Sequence, residues 1–146
     1  MTRLRYLLAA GLWAVLPAHA LEYLAVSTPA AITYDAPSVQ AKKLFVLGRD
    51  FPVEVVVSVD KWVKVRDYTG ALAWIEKAQL GDKRMLVVTL PAEIHAAAQD
   101  AAAVLTRADK GSLLEWQETL PGGWVKVRLP NNASGYIRQT QVWGRN

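Results

Sequence analysis

The hydrophobic and polar positions of this chain alternate in short stretches, and the stretches recur. Val53-Glu54-Val55-Val56-Val57-Ser58-Val59 is rich in β-branched residues and ends at Asp60-Lys61. Trp62-Val63-Lys64-Val65-Arg66 then alternates strictly, which predicts two strands joined by a tight turn. On the second strand Val63 and Val65 share one face and Trp62, Lys64 and Arg66 the other. The valines therefore belong in a core, and the tryptophan flanks it with two cations nearby. The pentapeptide returns unchanged, 62 residues later, as Trp124-Val125-Lys126-Val127-Arg128.

The rest of the chain obeys the same spacing. Ile75 and Gln79 return as Ile137 and Gln141, and Leu24, Val26, Pro29, Ala30 and Ile32 as Leu86, Val88, Pro91, Ala92 and Ile94. A fold reading made for one copy therefore applies to both. The second hairpin runs from Leu113 to Thr119, through Leu120-Pro121-Gly122-Gly123, to Trp124–Arg128, with a roomier turn than the first. Further short strands are expected at Tyr23 to Val26, Leu44 to Leu47 and Leu72 to Ile75. Their partners are Met85 to Thr89, Val104 to Leu105 and Gly135 to Ile137. Each unit then has about five short strands, a composition that fits a small, strongly bent barrel. Ala92 to Leu105 holds seven alanines and by propensity alone reads as helix. Its counterpart, Ala30 to Leu47, carries Pro37, Thr33 and Val39 and makes a poor helix, so the repeat overrules propensity here and leaves room for at most a helical turn within Ala96 to Ala103.

The first twenty residues stand outside the repeat. Arg3 and Arg5 precede an apolar run from Tyr6 to Leu16, Pro17 breaks it, and Ala18-His19-Ala20 has the small-x-small form of a cleavage site. The run is short of the roughly 20 residues needed to span a bilayer, so it reads as a secretory signal. The expected organisation is a signal peptide at 1–20, one domain at 21–81 and a second at 82–146. The expected location is periplasmic or secreted, with no stable membrane insertion after cleavage. The chain has no cysteine, so its core must hold the fold without disulfides, and thiol nucleophiles and thiolate ligands are ruled out. Without Arg3 and Arg5, fifteen basic residues stand against thirteen acidic, about +2. No dense basic stripe suits nucleic acid, and no basic amphipathic helix suits a membrane surface.

Each copy reads in the same order: a strand, a long excursion, a Gly-containing turn, a hydrophobic strand, Trp-x-Lys-Val, a turn, an aromatic-Ile pair and a final short turn. Copy two has Gly135-Tyr136-Ile137 and copy one Ala73-Trp74-Ile75. This order resembles the bacterial Src-homology-3-like domain (SH3b), as a tandem pair covering nearly all of Leu21 to Asn146. The resemblance implies an all-β fold of two small five-stranded SH3-like barrels in tandem, packed against each other. It also implies attachment or sensing in the cell envelope, through peptidoglycan or protein partners. The Ala-Leu-Tyr-Asp-Tyr, Trp-Trp and Pro-Ser-x-Tyr segments of the eukaryotic signalling branch are missing, so proline-rich peptide recognition is not carried over.

Candidate chemistry is sparse. His19 belongs to the signal, which leaves His95 as the one histidine of the mature chain, with Thr33 as its repeat counterpart. It reads as a solvated loop residue. A paired-carboxylate hydrolase needs a cleft that so small a barrel rarely provides, so the protein reads as a non-enzyme, without metal or cofactor. If it binds a ligand, the aromatic side chains are the natural contacts: Trp62, Tyr68 and Trp74 in copy one, Trp124 and Tyr136 in copy two. Lys64, Arg66, Lys126 and Arg128 would steer charge. The competing reading is that Trp62 and Trp124 plug the open ends of a barrel too small to bury much surface otherwise. Trp116 aligns with Val55 at an inward position and reads as core or as part of the contact between barrels. Trp143 either covers that contact or lies exposed. Asn132-Ala133-Ser134 matches a glycosylation sequon but sits where a turn favours asparagine.

Only Gly81-Asp82-Lys83-Arg84 separates the two units, too short a tether for independent beads. A monomer that unfolds as one cooperative unit is expected. Two functions stay open: a noncatalytic wall-binding module with two similar surfaces, or a periplasmic protein-interaction or regulatory subunit with no wall binding. The first calls for an exposed aromatic-basic surface in both copies, the second tolerates asymmetry. The divergence of Asp67-Tyr68-Thr69-Gly70 from Leu129-Pro130-Asn131-Asn132 leans toward asymmetry.

Overall fold

The computed structural model describes residues 20–145, so the expected signal peptide lies outside it apart from Ala20. Copy one forms a seven-stranded antiparallel sheet from β1 (Tyr23–Val26), β2 (Ala30–Tyr34), β3 (Lys43–Gly48), β4 (Pro52–Val59), β5 (Trp62–Arg66), β6 (Leu72–Glu76) and β7 (Leu80–Gly81). Their order in the sheet is β3-β2-β6-β5-β4-β1-β7. Copy two repeats it with β8 (Met85–Val88), β9 (Ala92–His95), β10 (Val104–Ala108), β11 (Leu113–Leu120), β12 (Trp124–Arg128), β13 (Ser134–Arg138) and β14 (Val142–Trp143), in the order β10-β9-β13-β12-β11-β8-β14. A 3-10 turn, Lys77–Gln79 or Gln139–Gln141, precedes the last strand of each.

Each copy thus has seven strands rather than five. The added ones are β2 and β9, inside the stretch expected to be a long excursion, and the two-residue β7 and β14. Alanine and histidine hide the alternation in Ala92-Glu93-Ile94-His95, where Ala92 and Ile94 are nevertheless buried and Glu93 exposed. The alanine-rich remainder turns without forming a helix.

The equivalence of the copies is finer than a constant spacing. Tyr34 pairs with Trp74 as His95 does with Tyr136, and Leu47 pairs with Ala31 as Ala108 does with Ala92. From β2 through β4 the true offset is therefore one residue shorter than at β1 and β5. The three-residue turn Pro121-Gly122-Gly123, against Asp60-Lys61, restores the register. The structural counterpart of His95 is Tyr34, not Thr33. Both β4 and β11 carry a bulge at the same place, Val56 and Gln117.

The inward residues of the alternating strands fill each barrel. Val26, Val53, Val63, Val65 and Ile75 form the first core, with Leu24, Phe51 and Val55 against it. Leu86, Val88, Ile94, Val125, Val127 and Ile137 form the second, with Trp116 packed on it as its inward position requires. Burial of such side chains supplies roughly 1.5–3 kcal/mol each.

A third buried set belongs to neither core. Ala25, Met85 and Val87 are buried, yet on β1 and β8 they lie on the side opposite Leu24, Val26, Leu86 and Val88. They form the seam between the barrels. Trp143 closes it, its ring edge-on to Tyr23 of copy one at 5.2 Å and 87°. The chain leaves β14 through Gly144 at φ 108°, where a Cβ would lie 2.8 Å from the Met85 carbonyl oxygen and 3.5 Å from the Pro52 side chain. Lys83 of the linker donates to Asp50 at 3.1 Å. The barrels are packed against each other, as the short tether requires.

Ala73 in place of a signature glycine is explained by its neighbour. A Cβ on Gly135 would meet Ile94 Cγ2 at 2.3 Å. At the place of Ile94 in the ladder copy one has Thr33, whose hydroxyl is held by the Phe45 backbone, accepting from its N–H at 3.1 Å. The smaller side chain leaves room for Ala73. Gly135→Ala is therefore expected to destabilise copy two by about 1–3 kcal/mol, and Ile94→Thr in the same chain to recover part of the loss. Denaturant unfolding of the single and double variants measures the coupling, and strictly additive losses would rule out the explanation. For the seam, calorimetry should give one transition for the wild type. Trp143→Ala, at a cost of about 2 kcal/mol for a half-buried ring, should lower it or split it; an unchanged transition would show that the seam carries no coupling.

Candidate functional site

The outward residues of the central strands fall into rows fixed by the ladder, because residues directly opposite one another share a face. In copy one the rows are Val57–Lys64–Trp74–Tyr34, then Val59–Trp62–Glu76, then Glu54–Arg66–Leu72. In copy two they are Glu118–Lys126–Tyr136–His95, then Leu120–Trp124–Arg138, then Glu115–Arg128–Ser134. Most of the expected site residues therefore lie on one face per copy: Trp62, Lys64, Arg66 and Trp74 in the first, Trp124, Lys126, Arg128 and Tyr136 in the second. Tyr68 does not join them. It sits in the turn after β5, its ring 6.2 Å from that of Phe51.

The two faces differ in how their tryptophan is held. Trp62 is half-buried, with Tyr34 edge-on at 5.5 Å. Trp124 is only 4% exposed. His95 meets it edge-on at 5.4 Å, and the Arg138 guanidinium lies over its ring at 4.1 Å. The plug reading thus holds for Trp124, while Trp62 keeps an open surface. Trp74 is half-buried, with Lys64 Nζ 6.0 Å from its ring centre.

Copy one's face is also more apolar than the aromatic list implies. Val57, Val59 and Leu72 are 42%, 49% and 45% exposed, and the matching positions of copy two are Glu118, Leu120 and Ser134. The sequence signal for the valines was the unbroken run Val55-Val56-Val57, in which alternation fails and both sides of β4 are apolar.

The cations are not equally available. Arg66 donates to the buried Glu54 at 3.1 Å, and Arg128 stands 3.6 Å from Glu115, so both are tied at the margin of their faces. Among the described residues Lys64 and Lys126 have no carboxylate partner. His95 is not a solvated loop residue: it is buried at the end of β9, with Nδ1 donating to the Ala102 carbonyl at 3.1 Å. Asp100, in the turn beyond it, pairs with Arg138. The hydrogen bond from Arg138 holds the Asp100 carboxyl below the usual aspartate range. At the seam, burial and then the nearby Glu54 charge push the Tyr23 hydroxyl above its ordinary value. Among the described residues no group of three or more histidine, aspartate and glutamate side chains is placed to hold a metal, and no helix is long and apolar enough to cross a membrane.

Two bulged, strongly bent antiparallel sheets, each closed by a 3-10 turn and carrying a Trp-x-Lys-Val strand at its centre, define a tandem pair of SH3-like barrels. The bacterial SH3 domain family matches twice, at residues 28–82 and 91–144, and the chain belongs to that family. No curated protein sequence matches it. Among solved structures, NlpC2 from Trichomonas vaginalis is similar at 17% identity and a TM-score of 0.40, over 86% of this chain and 49% of that one. NlpC1 from the same organism is 16% identical at a TM-score of 0.40, over 95% and 51%. An NlpC/P60 family protein from Bacillus cereus is 15% identical at 0.39, over 84% and 56%. The chain spans about half the length of these structures.

The unequal burial has a direct consequence for stability. Trp124→Ala removes a packed plug and is expected to cost about 3–5 kcal/mol, whereas Trp62→Ala should cost no more than about half of that. Denaturant midpoints of the two variants decide it, and equal losses would show that Trp62 is as much a plug as Trp124.

Proposed function

We propose that this protein is an exported, noncatalytic binding protein of the cell envelope that engages peptidoglycan or envelope peptides through the outward face of copy one. The observation that carries the reading is the open patch, spanning three adjacent rows, of Trp74, Trp62, Val57 and Leu72 around Lys64, which has no carboxylate partner among the described residues. An apolar and aromatic surface with one central cation suits a ligand with both apolar and anionic parts. Copy two supports the first barrel through the seam and contributes a face that is already closed by Arg138 and His95. The noncatalytic reading rests on the donor set: the chain has no cysteine, and His95 is committed to Ala102 and Trp124. Export rests on the signal pattern before Leu21.

The inequality of the faces also supports a second reading. Avidity on a polymer is served by two equivalent sites, whereas one open face suits docking of a single protein partner in the periplasm.

Co-sedimentation of the purified protein with insoluble peptidoglycan across a salt series separates the two. Saturable binding that survives moderate salt is expected, falling about tenfold or more in folded Trp62→Ala or Trp74→Ala, the size of a buried aromatic contact at an interface. Lys126→Ala, on the closed face, should leave it unchanged. Absence of binding, or binding that salt abolishes and the aromatic variants do not touch, would replace the wall with a protein partner.

A further inference from the structure

Copy two has a cleft of about 440 Å³ beneath the hairpin of β9 and β10. That is within the roughly 300–1,000 Å³ of ordinary small-ligand sites. It lies apart from the face assigned to binding above, and its walls are charged with both signs. Its lining includes His95 and the pair of Arg138 with Asp100, and also Asp109 and the pair of Arg107 with Glu93.

The fold does not require these charges, and copy one shows it. The ladder places Ile32 where Glu93 stands and Val46 where Arg107 stands, and Tyr34 where His95 stands. The bends Ala36–Ser38–Ala41 and Ala97–Gln99–Ala102 have matching hydrogen bonds, which put Val39 at the place of Asp100. Gly48, one residue beyond the Leu47 that matches Ala108, takes the place of Asp109. Arg138, opposite Trp124, corresponds to Glu76, opposite Trp62. Five of the six positions are uncharged in the same barrel, and the sixth has the opposite sign.

The arrangement has a distinct chemistry. Arg138 is fixed on two sides, its Nη1 donating to the Gly122 carbonyl at 3.1 Å and its guanidinium stacked on Trp124. Its remaining fork meets Asp100, whose side chain is 76% exposed. An ion pair so open to water contributes little, so an incoming carboxylate can take the place of Asp100 on a guanidinium already oriented to receive it. Asp109 has no ion-pair partner among the described residues, and Glu93 is shared with Arg107 at 2.9 Å. They offer acceptors for a cation at the other end. With Nδ1 of His95 committed to Ala102, Nε2 is the ring's remaining polar atom for an amide of the ligand.

We infer that this cleft is a second binding site, specific for a short zwitterionic peptide whose carboxylate displaces Asp100 from Arg138 and whose ammonium is received by Asp109 and Glu93. The test titrates the purified protein with trialanine, N-acetyl-trialanine and trialanine amide, following side-chain and backbone resonances by NMR. Trialanine is expected to shift signals of Arg138, Asp109 and His95, and blocking either end should weaken binding at least tenfold. Asp109→Asn should weaken trialanine without changing the already poor acetylated peptide. Asp100→Asn should strengthen trialanine at least threefold, a gain that a misfolded protein would not show. Equal binding of the capped peptides, no response at millimolar trialanine, no gain in Asp100→Asn, or shifts confined to the copy-one face would each overturn the assignment.

Discussion

The structure depends on the alternation of one strand. In β5 and β12 the two valines enter the core, and each of them is no more than 2% exposed. Because the side-chain period of a strand is two, burying Val63 and Val65 forces Trp62, Lys64 and Arg66 outward together, and a slip by one residue would exchange the sets. These strands sit at the middle of their sheets, between β4 and β6 or β11 and β13. Their neighbours are therefore committed to the same sides. The outward face is a by-product of the core: once the valines are inside, the rows through Trp74, Tyr34 and Val57 have nowhere else to lie.

The same constraint decides what was legible before the structure. The fold, the hairpins and the inward position of Trp116 could be read because β-branched alternation and the repeat report them. The strands β2 and β9 could not, since they are only five and four residues long and the alanine-rich run that follows β9 reads as helix. Their pairing is set by β6 and β13 across the barrel. A constant spacing also misplaced the partner of His95. A residue lost between Val88 and Ala92 is regained in the Pro121-Gly122-Gly123 turn, so the error is invisible at both ends of the repeat and present only between them. Of the proposed contacts, the six residues of the pentapeptides together with Trp74 and Tyr136 all lie on the outward faces. Tyr68 lies off that face because a turn residue inherits no register, and it sits in the Asp67 turn, where Asp67 Oδ1 accepts from the Thr69 and Ala71 amides at 2.8 and 3.0 Å.

The seam makes the pair one object. Ordinarily the outer sides of β1 and β8 would be wetted and polar, but Ala25, Met85 and Val87 are small or apolar and buried. A β-strand buried on both sides loses its alternation, which is why Met85-Leu86-Val87-Val88 is a continuous apolar run. The run thus records the contact between barrels. It also couples the two copies, since the turn Trp143-Gly144 of copy two packs on Tyr23 and Pro52 of copy one.

Duplication supplies an internal control that a single domain lacks. Positions that hold the barrel together keep their character in both copies: Val63 and Val125, Ile75 and Ile137, the pairs of Glu54 with Arg66 and Glu115 with Arg128. Positions that differ are free of the fold and open to another requirement. On the outward rows Val57 stands against Glu118 and Leu72 against Ser134, and around the hairpin of β2 and β3 Ile32, Val39 and Val46 stand against Glu93, Asp100 and Arg107, whereas Asp35, Lys42 and Lys43 stand against Ala96, Ala103 and Val104. Copy one is the more apolar on the outward rows, and copy two is the more charged where its cleft lies. The split is local to these two surfaces, and it fits two surfaces of different chemistry, held in fixed relation by the seam.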